Sequence, residues 1–312
     1  MREVSPKLQP WLENFNILLT GLLADGFKPT PTNAREGLRN LTKGMVTDIP
    51  DIAWCQDDFI PGKECDVPVR IYHPEPTTAL PVLVYLHGGG HMAGSVTVYD
   101  PLCRKMAMAT QHIVVSVDYR LAPECPYPAA VNDTCSAVKG VWQTLNERQL
   151  TFQHRLSIAG DSAGGALCAT AAHLSQFDDS IAIHRQALIY PSLDYTMSFK
   201  SLEQNGIGYL LQKEKIGWYF DSYFQHSEKR KTVSPLYMDF SGQLPESMVI
   251  TAEFCPLRDE GFAYIEKIRQ AGVEVEHLHF DDMIHAFLNL EDLVKEECET
   301  VYQCIADFLN AP

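Results

Sequence analysis

A serine with a glycine two positions to either side, Gly160-Asp161-Ser162-Ala163-Gly164, is the first feature of this sequence able to do chemistry. The apolar run Leu156 to Ala159 before it reads as a strand, and the alanine-rich stretch Ala163 to Gln176 after it reads as a helix. A nucleophile elbow requires that setting: a strained turn presents the hydroxyl, and small neighbours tolerate backbone coming close. Upstream, His87-Gly88-Gly89-Gly90 follows the apolar strand Val82 to Leu86. Glycines leave their N–H groups unobstructed, so they can face a developing oxyanion. Gly88, Gly89 and Ala163, the residue after the serine, are the expected donors of that hole. No G-x-x-x-x-G-K-[ST] pattern follows the glycines, which excludes a Walker nucleotide loop.

A serine hydroxyl is a poor nucleophile at neutral pH and needs a base. With an elbow of this kind the chain order is serine, acid, histidine. Six histidines lie beyond Ser162: His173, His184, His226, His277, His279 and His285. His173 falls in the helix leaving the elbow and is expected to point away. His277 and His279 alternate along Val273 to Phe280, where a strand would fix both on one face. His285 comes just after that strand, in Asp281-Asp282-Met283-Ile284-His285-Ala286-Phe287, at a loop where catalytic residues collect. His285 is the expected base.

The elements that must position these groups alternate. Val82 to Leu86, Ile113 to Val117, Leu156 to Ala159, Ala187 to Tyr190 and Met248 to Ala252 are short, nearly continuous apolar runs. Such runs are strands covered on both faces, as in a parallel sheet. Stretches such as Ala129 to Arg148 and Ala163 to Gln176 supply crossover helices, so the fold class is α/β, doubly wound. Two regions break the rhythm: residues 1–45, with Trp11, Phe15 and Leu18, and residues 195–240, rich in aromatic side chains. Together they are expected to form a helical cap over a core of residues 46–194 and 241–312, because ligands bind beyond the carboxyl ends of such strands.

Composition narrows the function. The chain has 312 residues, 25 Lys plus Arg against 40 Asp plus Glu, and a formal charge of −15. That balance argues against a nucleic-acid partner, whose phosphates need clustered cations. No apolar run reaches about 18 residues, and no cleavage-type signal surrounds Ile17 to Ala24, so neither a membrane span nor export is expected. Nine cysteines without a C-x-x-C pair read as reduced thiols in a cytoplasmic protein.

With these residues in place, the chain resembles the bacterial hormone-sensitive-lipase-like esterases of the α/β-hydrolase fold, acetyl esterases among them. Beyond the two glycine motifs, the likeness includes Asp118-Tyr119-Arg120-Leu121-Ala122-Pro123-Glu124, Tyr127-Pro128-Ala129-Ala130, Tyr190-Pro191 and His285-Ala286-Phe287-Leu288. It runs from roughly residue 67 to the end. The resemblance implies a carboxylic ester hydrolase for short acyl chains, working on a small-molecule ester through an acyl-enzyme, with a helical cap and no cofactor or metal. A homodimer is suggested by the resemblance alone. Asp161 and Glu124 are expected to hold loops around the elbow.

One position departs. The family's acid opens an Asp-Pro-Leu-x-Asp segment, and this chain reads Cys255-Pro256-Leu257-Arg258-Asp259. The acid fixes the imidazole tautomer and stabilises the imidazolium formed during attack; a neutral replacement in a serine-protease triad lowered turnover about 10⁴-fold. Three readings follow. The change leaves an impaired esterase; or Asp259 or Glu253 takes over as acid; or the site lowers the thiol's pKa and a thiolate pairs with His285. First-turn helix charges facing solvent are the plain alternative for Asp259 and Glu260. His91, where the family often has an aromatic, is expected at the solvent edge, with contact to substrate as the alternative. Two rival functions remain: a non-catalytic small-molecule receptor on the same fold, which Cys255 makes thinkable, and more remotely a metal-dependent hydrolase built on His277-x-His279-x-Asp281-Asp282.

Overall fold

Apolar strands that can be covered on both faces settle at the middle of a sheet, and here they do. The computed structural model describes residues 2–312, and among them eight strands form one sheet. They are β1 Trp54–Ile60, β2 Val67–His73, β3 Leu80–Leu86, β4 Ile113–Val117, β5 Phe152–Asp161, β6 Arg185–Ile189, β7 Glu246–Phe254 and β8 Val275–Ile284. The order is β1-β2-β4-β3-β5-β6-β7-β8, with β2 the single reversed strand. Every residue of β3, β4 and β6 is buried. Neither strand of the first hairpin, β1 and β2, stands out as an apolar run in the sequence.

Ten α-helices accompany the sheet among the described residues: α1 Gln9–Ala24, α2 Pro31–Met45, α3 Asp100–Thr110, α4 Ala129–Glu147, α5 Ala163–Ser175, α6 Lys200–Asn205, α7 Lys213–Tyr223, α8 Arg230–Val233, α9 Arg258–Gln270 and α10 Lys295–Asn310. The helix α2 begins where a helix should: Thr30 accepts the Asn33 N–H at 3.1 Å and Pro31 takes the first position. Arg35 on α2 then ties it to the core. Its guanidinium donates to the Met92 carbonyl at 2.9 Å and the Ala122 carbonyl at 3.1 Å, and grips Glu124 with two bonds. No described helix is long and apolar enough to cross a membrane.

Register does the positioning. Parallel pairing sets Leu86 beside Gly160, so the glycine loop and the serine turn leave neighbouring strand ends together. At the other side Phe254 pairs with Ile284, so Cys255 and His285 leave β7 and β8 side by side. The turn itself needs glycine for space. A Cβ on Gly160 would lie 2.6 Å from the Gly164 carbonyl carbon, and one on Gly164 would collide with the Leu86 carbonyl. Backbone on both sides cannot yield as a flexible side chain can. Gly164→Ala is therefore expected to lower unfolding stability by about 1–3 kcal/mol, read from urea denaturation; an unchanged midpoint would contradict the close approach.

Candidate active site

The elbow carries Ser162 at φ 53° and ψ −116°, outside the regions that L-residues ordinarily occupy. It is held there by its N–H donating to the Ile189 carbonyl at 2.9 Å and by its carbonyl accepting from Ser192 at 3.0 Å and Ala166 at 3.2 Å. Its Oγ lies 3.0 Å from Nε2 of His285, and Nδ1 of the same ring lies 3.1 Å from Sγ of Cys255. Serine, imidazole and thiol thus form a continuous line, with the thiol in the place expected for the acid. The edge of Tyr190 meets the His285 ring at 4.9 Å and 61°, which fixes its plane.

The thiol is fully buried. Burial pushes Cys255 well above its ordinary range, the opposite of what a thiolate needs. The Leu257 N–H donates to Sγ at 3.3 Å. Burial likewise lowers His285 to about 3, with the charge of Lys215 adding to the effect. Both partners are neutral at pH 7.

Neither neighbouring carboxylate has turned to His285. Asp259 accepts the Ser201 N–H at 2.9 Å and the Arg258 guanidinium at 2.8 Å. Glu253 pairs with Arg2, with Arg258 at 3.1 Å and with Nε2 of His279 at 3.3 Å. Glu260 does not face solvent: it is buried and accepts the Leu193 N–H at 2.7 Å, tying α9 to the loop after β6.

On the oxyanion side, Gly88 is already engaged. Its N–H donates to Asp161 at 2.7 Å, and the same carboxylate takes the hydroxyls of Tyr85 and Tyr99, each at 3.0 Å. The N–H groups of Gly89, Gly90 and Ala163 have no acceptor among the described residues, and all three residues border the cavity above Ser162. The free amides are therefore shifted one residue along from the Gly88–Gly89 pair expected from sequence. Positive φ angles of 125° at Gly89 and 66° at Gly90 make the turn that does this. Asp161 and Glu124 hold loops, as expected, through Gly88 and through Arg35 respectively.

The cavity measures about 320 Å³. Its floor is the Ser162 turn and the glycine loop; α1, α2 and α7 give it Phe15, Leu38, Leu41, Ile216 and Phe220. His91 is not at the solvent edge. It is fully buried, stacked on Tyr223 of α7 with ring centres 4.0 Å apart, and its Nε2 meets the Tyr195 hydroxyl at 3.3 Å. Of the other histidines, His173 does point away, with Nδ1 3.0 Å from the Asp239 carbonyl. His277 and His279 do share a face: both approach the Thr251 hydroxyl at 2.8 Å. No group of three or more His, Cys, Asp or Glu suited to a metal occurs among the described residues. Sequence reasoning missed Gly90, the Leu257 amide and Lys215.

Comparison with known proteins gives one consistent picture. A profile described as the α/β-hydrolase fold matches residues 83–289. Carboxylesterase NlhH of Mycobacterium tuberculosis is 35% identical over 317 aligned positions, covering 99% of this chain and 96% of the relative. Ethyl acetate hydrolase of Pseudomonas putida is 33% identical over 75% of each chain. Among solved structures, a hyperthermophilic esterase from the archaeon Pyrobaculum calidifontis superposes with a TM-score of 0.87 at 32% identity, over 98% of each chain.

A histidine held near 3 remains a competent base in acid, so the fall of kcat/KM on the acid side should come well below the ordinary histidine value of about 6.5. In Cys255→Asp a carboxylate beside Nδ1 favours the imidazolium, so that limb should move to higher pH. A pH–rate profile on a neutral ester checks both; a parent limb at or above about 6.5 would contradict the burial argument.

Proposed function

The chain belongs to the hormone-sensitive-lipase-like carboxylesterases of the α/β-hydrolase family, and on that premise we propose that it cleaves short-chain acyl esters through an acyl-enzyme, at a rate held down by Cys255. Ser162 attacks the carbonyl carbon while Nε2 of His285 takes its proton. The N–H groups of Gly89, Gly90 and Ala163 receive the oxyanion, and the alcohol leaves with the proton from His285. Water then attacks the acyl carbon while His285 takes its proton, the acyl–Oγ bond breaks to release the carboxylic acid, and His285 returns the proton to Oγ of Ser162. Residues 1–45 and 195–240 act as the cap, a reading supported by the side chains both segments give to the cavity. A volume of about 320 Å³ lies at the small end of ligand pockets and favours short acyl chains. Nine unpaired cysteines favour a reducing compartment, the cytoplasm.

The observation that carries the impaired rate is the 3.1 Å contact of Sγ with Nδ1. For attack, Nε2 must be free of its proton, so Nδ1 must hold one and needs an acceptor. A neutral thiol accepts weakly, and the Leu257 N–H already uses Sγ as acceptor. The thiol proton has Nδ1 as its nearby acceptor, and donating there leaves the imidazole proton on Nε2, the wrong tautomer for a base. Asp259 and Glu253 are occupied by arginines, which weighs against a substitute acid. The pKa direction of Cys255 weighs against a thiolate. A receptor remains the second reading, since a slow centre under a cap could hold a ligand.

Cys255→Asp is expected to raise kcat on p-nitrophenyl acetate at least tenfold, about 1.4 kcal/mol of barrier. An unchanged or lower kcat would sink the impaired-triad reading, and loss of parental activity in Asp259→Ala would revive the substitute acid. Separately, a fluorophosphonate should label Ser162 at neutral pH and fail on Ser162→Ala. No labelling of the parent would favour the receptor.

A further inference from the structure

The cavity wall is largely apolar, yet two of its residues carry charge near neutral pH, Asp161 and Lys215. They differ in what they can still do. Asp161 is buried, and both its oxygens are occupied by Gly88, Tyr85 and Tyr99. Lys215, in the first turn of α7, has no hydrogen-bond or ion-pair partner among the described residues, although Lys213 beside it pairs with Glu203. Its side chain is exposed, so the ammonium is solvated and ready to meet an anion. It is also held in place: Nζ sits over the Tyr219 ring, 5.6 Å from the centroid, and that ring packs on Gly90 of the oxyanion loop. One unpartnered cation therefore stands at the open end of an apolar cavity, next to the reacting centre, in a chain of formal charge −15.

We propose that Lys215 is a specificity-determining residue that reads an anion on the substrate, so that the preferred esters carry a carboxylate on their acyl or alcohol arm. This rests on the esterase reading above and names its substrate class. Attack creates an imidazolium at His285 with a neutral thiol where a carboxylate would balance it, and Lys215 adds a second positive charge nearby. A substrate carboxylate paired with Lys215 cancels that repulsion. The gain appears in kcat as well as in KM, unlike a handle that only holds the ground state.

The test compares ester pairs matched in length: p-nitrophenyl hemisuccinate against p-nitrophenyl valerate for the acyl arm, and 3-acetoxypropionate against butyl acetate for the alcohol arm. Salt of about 0.1 M screens the field of the whole chain beyond about 10 Å. The ratio of kcat/KM, anionic over neutral, should be about fivefold or more for one arm. It should fall at least fivefold in Lys215→Met and drop below one in Lys215→Glu. A parental ratio near or below one for both arms, or a ratio unchanged in Lys215→Met, overturns the proposal. Running every pair again in Cys255→Asp separates the two failures: hydrolysis and Ser162 labelling there, after no preference in the parent, remove only the role of Lys215, whereas no hydrolysis and no labelling of Ser162 in either protein removes the esterase itself.

Discussion

The carboxylate of Asp161 is the point on which the site hangs. It lies directly before the nucleophile in the chain, and from beneath the elbow it takes the Gly88 amide and the hydroxyls of Tyr85 and Tyr99. Those bonds tie the glycine loop to the serine turn. No cation among the described residues pairs with it. Burial raises its pKa to about 6, and the Tyr99, Tyr85 and Gly88 donors hold it down against that. A carboxyl whose folded pKa exceeds its unfolded value is a stabilising contact when protonated and a cost once ionised. That share of stability, present at low pH, is lost as pH rises through about 6.

Around this fixed frame the third member of the catalytic line is free to vary, because it is supplied by different strands. Cys255 and His285 follow the ends of β7 and β8, and the pairing of those strands, ending in Phe254 with Ile284, brings them together. The thiol has kept the geometry of the contact and lost its charge. The Leu257 amide still points at the side chain of position 255, a donor that suits a carboxylate oxygen better than sulfur. His285 and the Leu257 amide frame a place that a carboxylate would fit, and a buried thiol occupies it.

Much of this was legible in the sequence, and the losses have physical causes. Ser162 and His285 are read from residue type, spacing and chain order, the position of the substituted acid only through the resemblance to the family, and five of the six inner strands from apolar runs that can be covered on both faces. The choice between Gly88 and Gly90 could not be read, because consecutive glycines are identical in type and Asp161 decides which amide is consumed. His91 looked like an edge residue because its stacking partner, Tyr223, is far along the chain and reaches it only through the fold. The strand β1, Trp-Cys-Gln-Asp-Asp-Phe-Ile, carries two acids mid-run and has no clean alternation, so it becomes a strand only by pairing with β2. Lys215 had no local signal at all; its isolation is a property of what the cavity places around it.

The backbone angle of Ser162 limits what can stand at that position. At φ 53° a second substituent on Cβ is badly placed, so a β-branched residue is an outlier there. Threonine, one methyl away and carrying the same hydroxyl, is excluded by shape. Cysteine, unbranched, fits the turn while changing the reacting atom. The nucleophile can therefore change its element more readily than it can gain a methyl group.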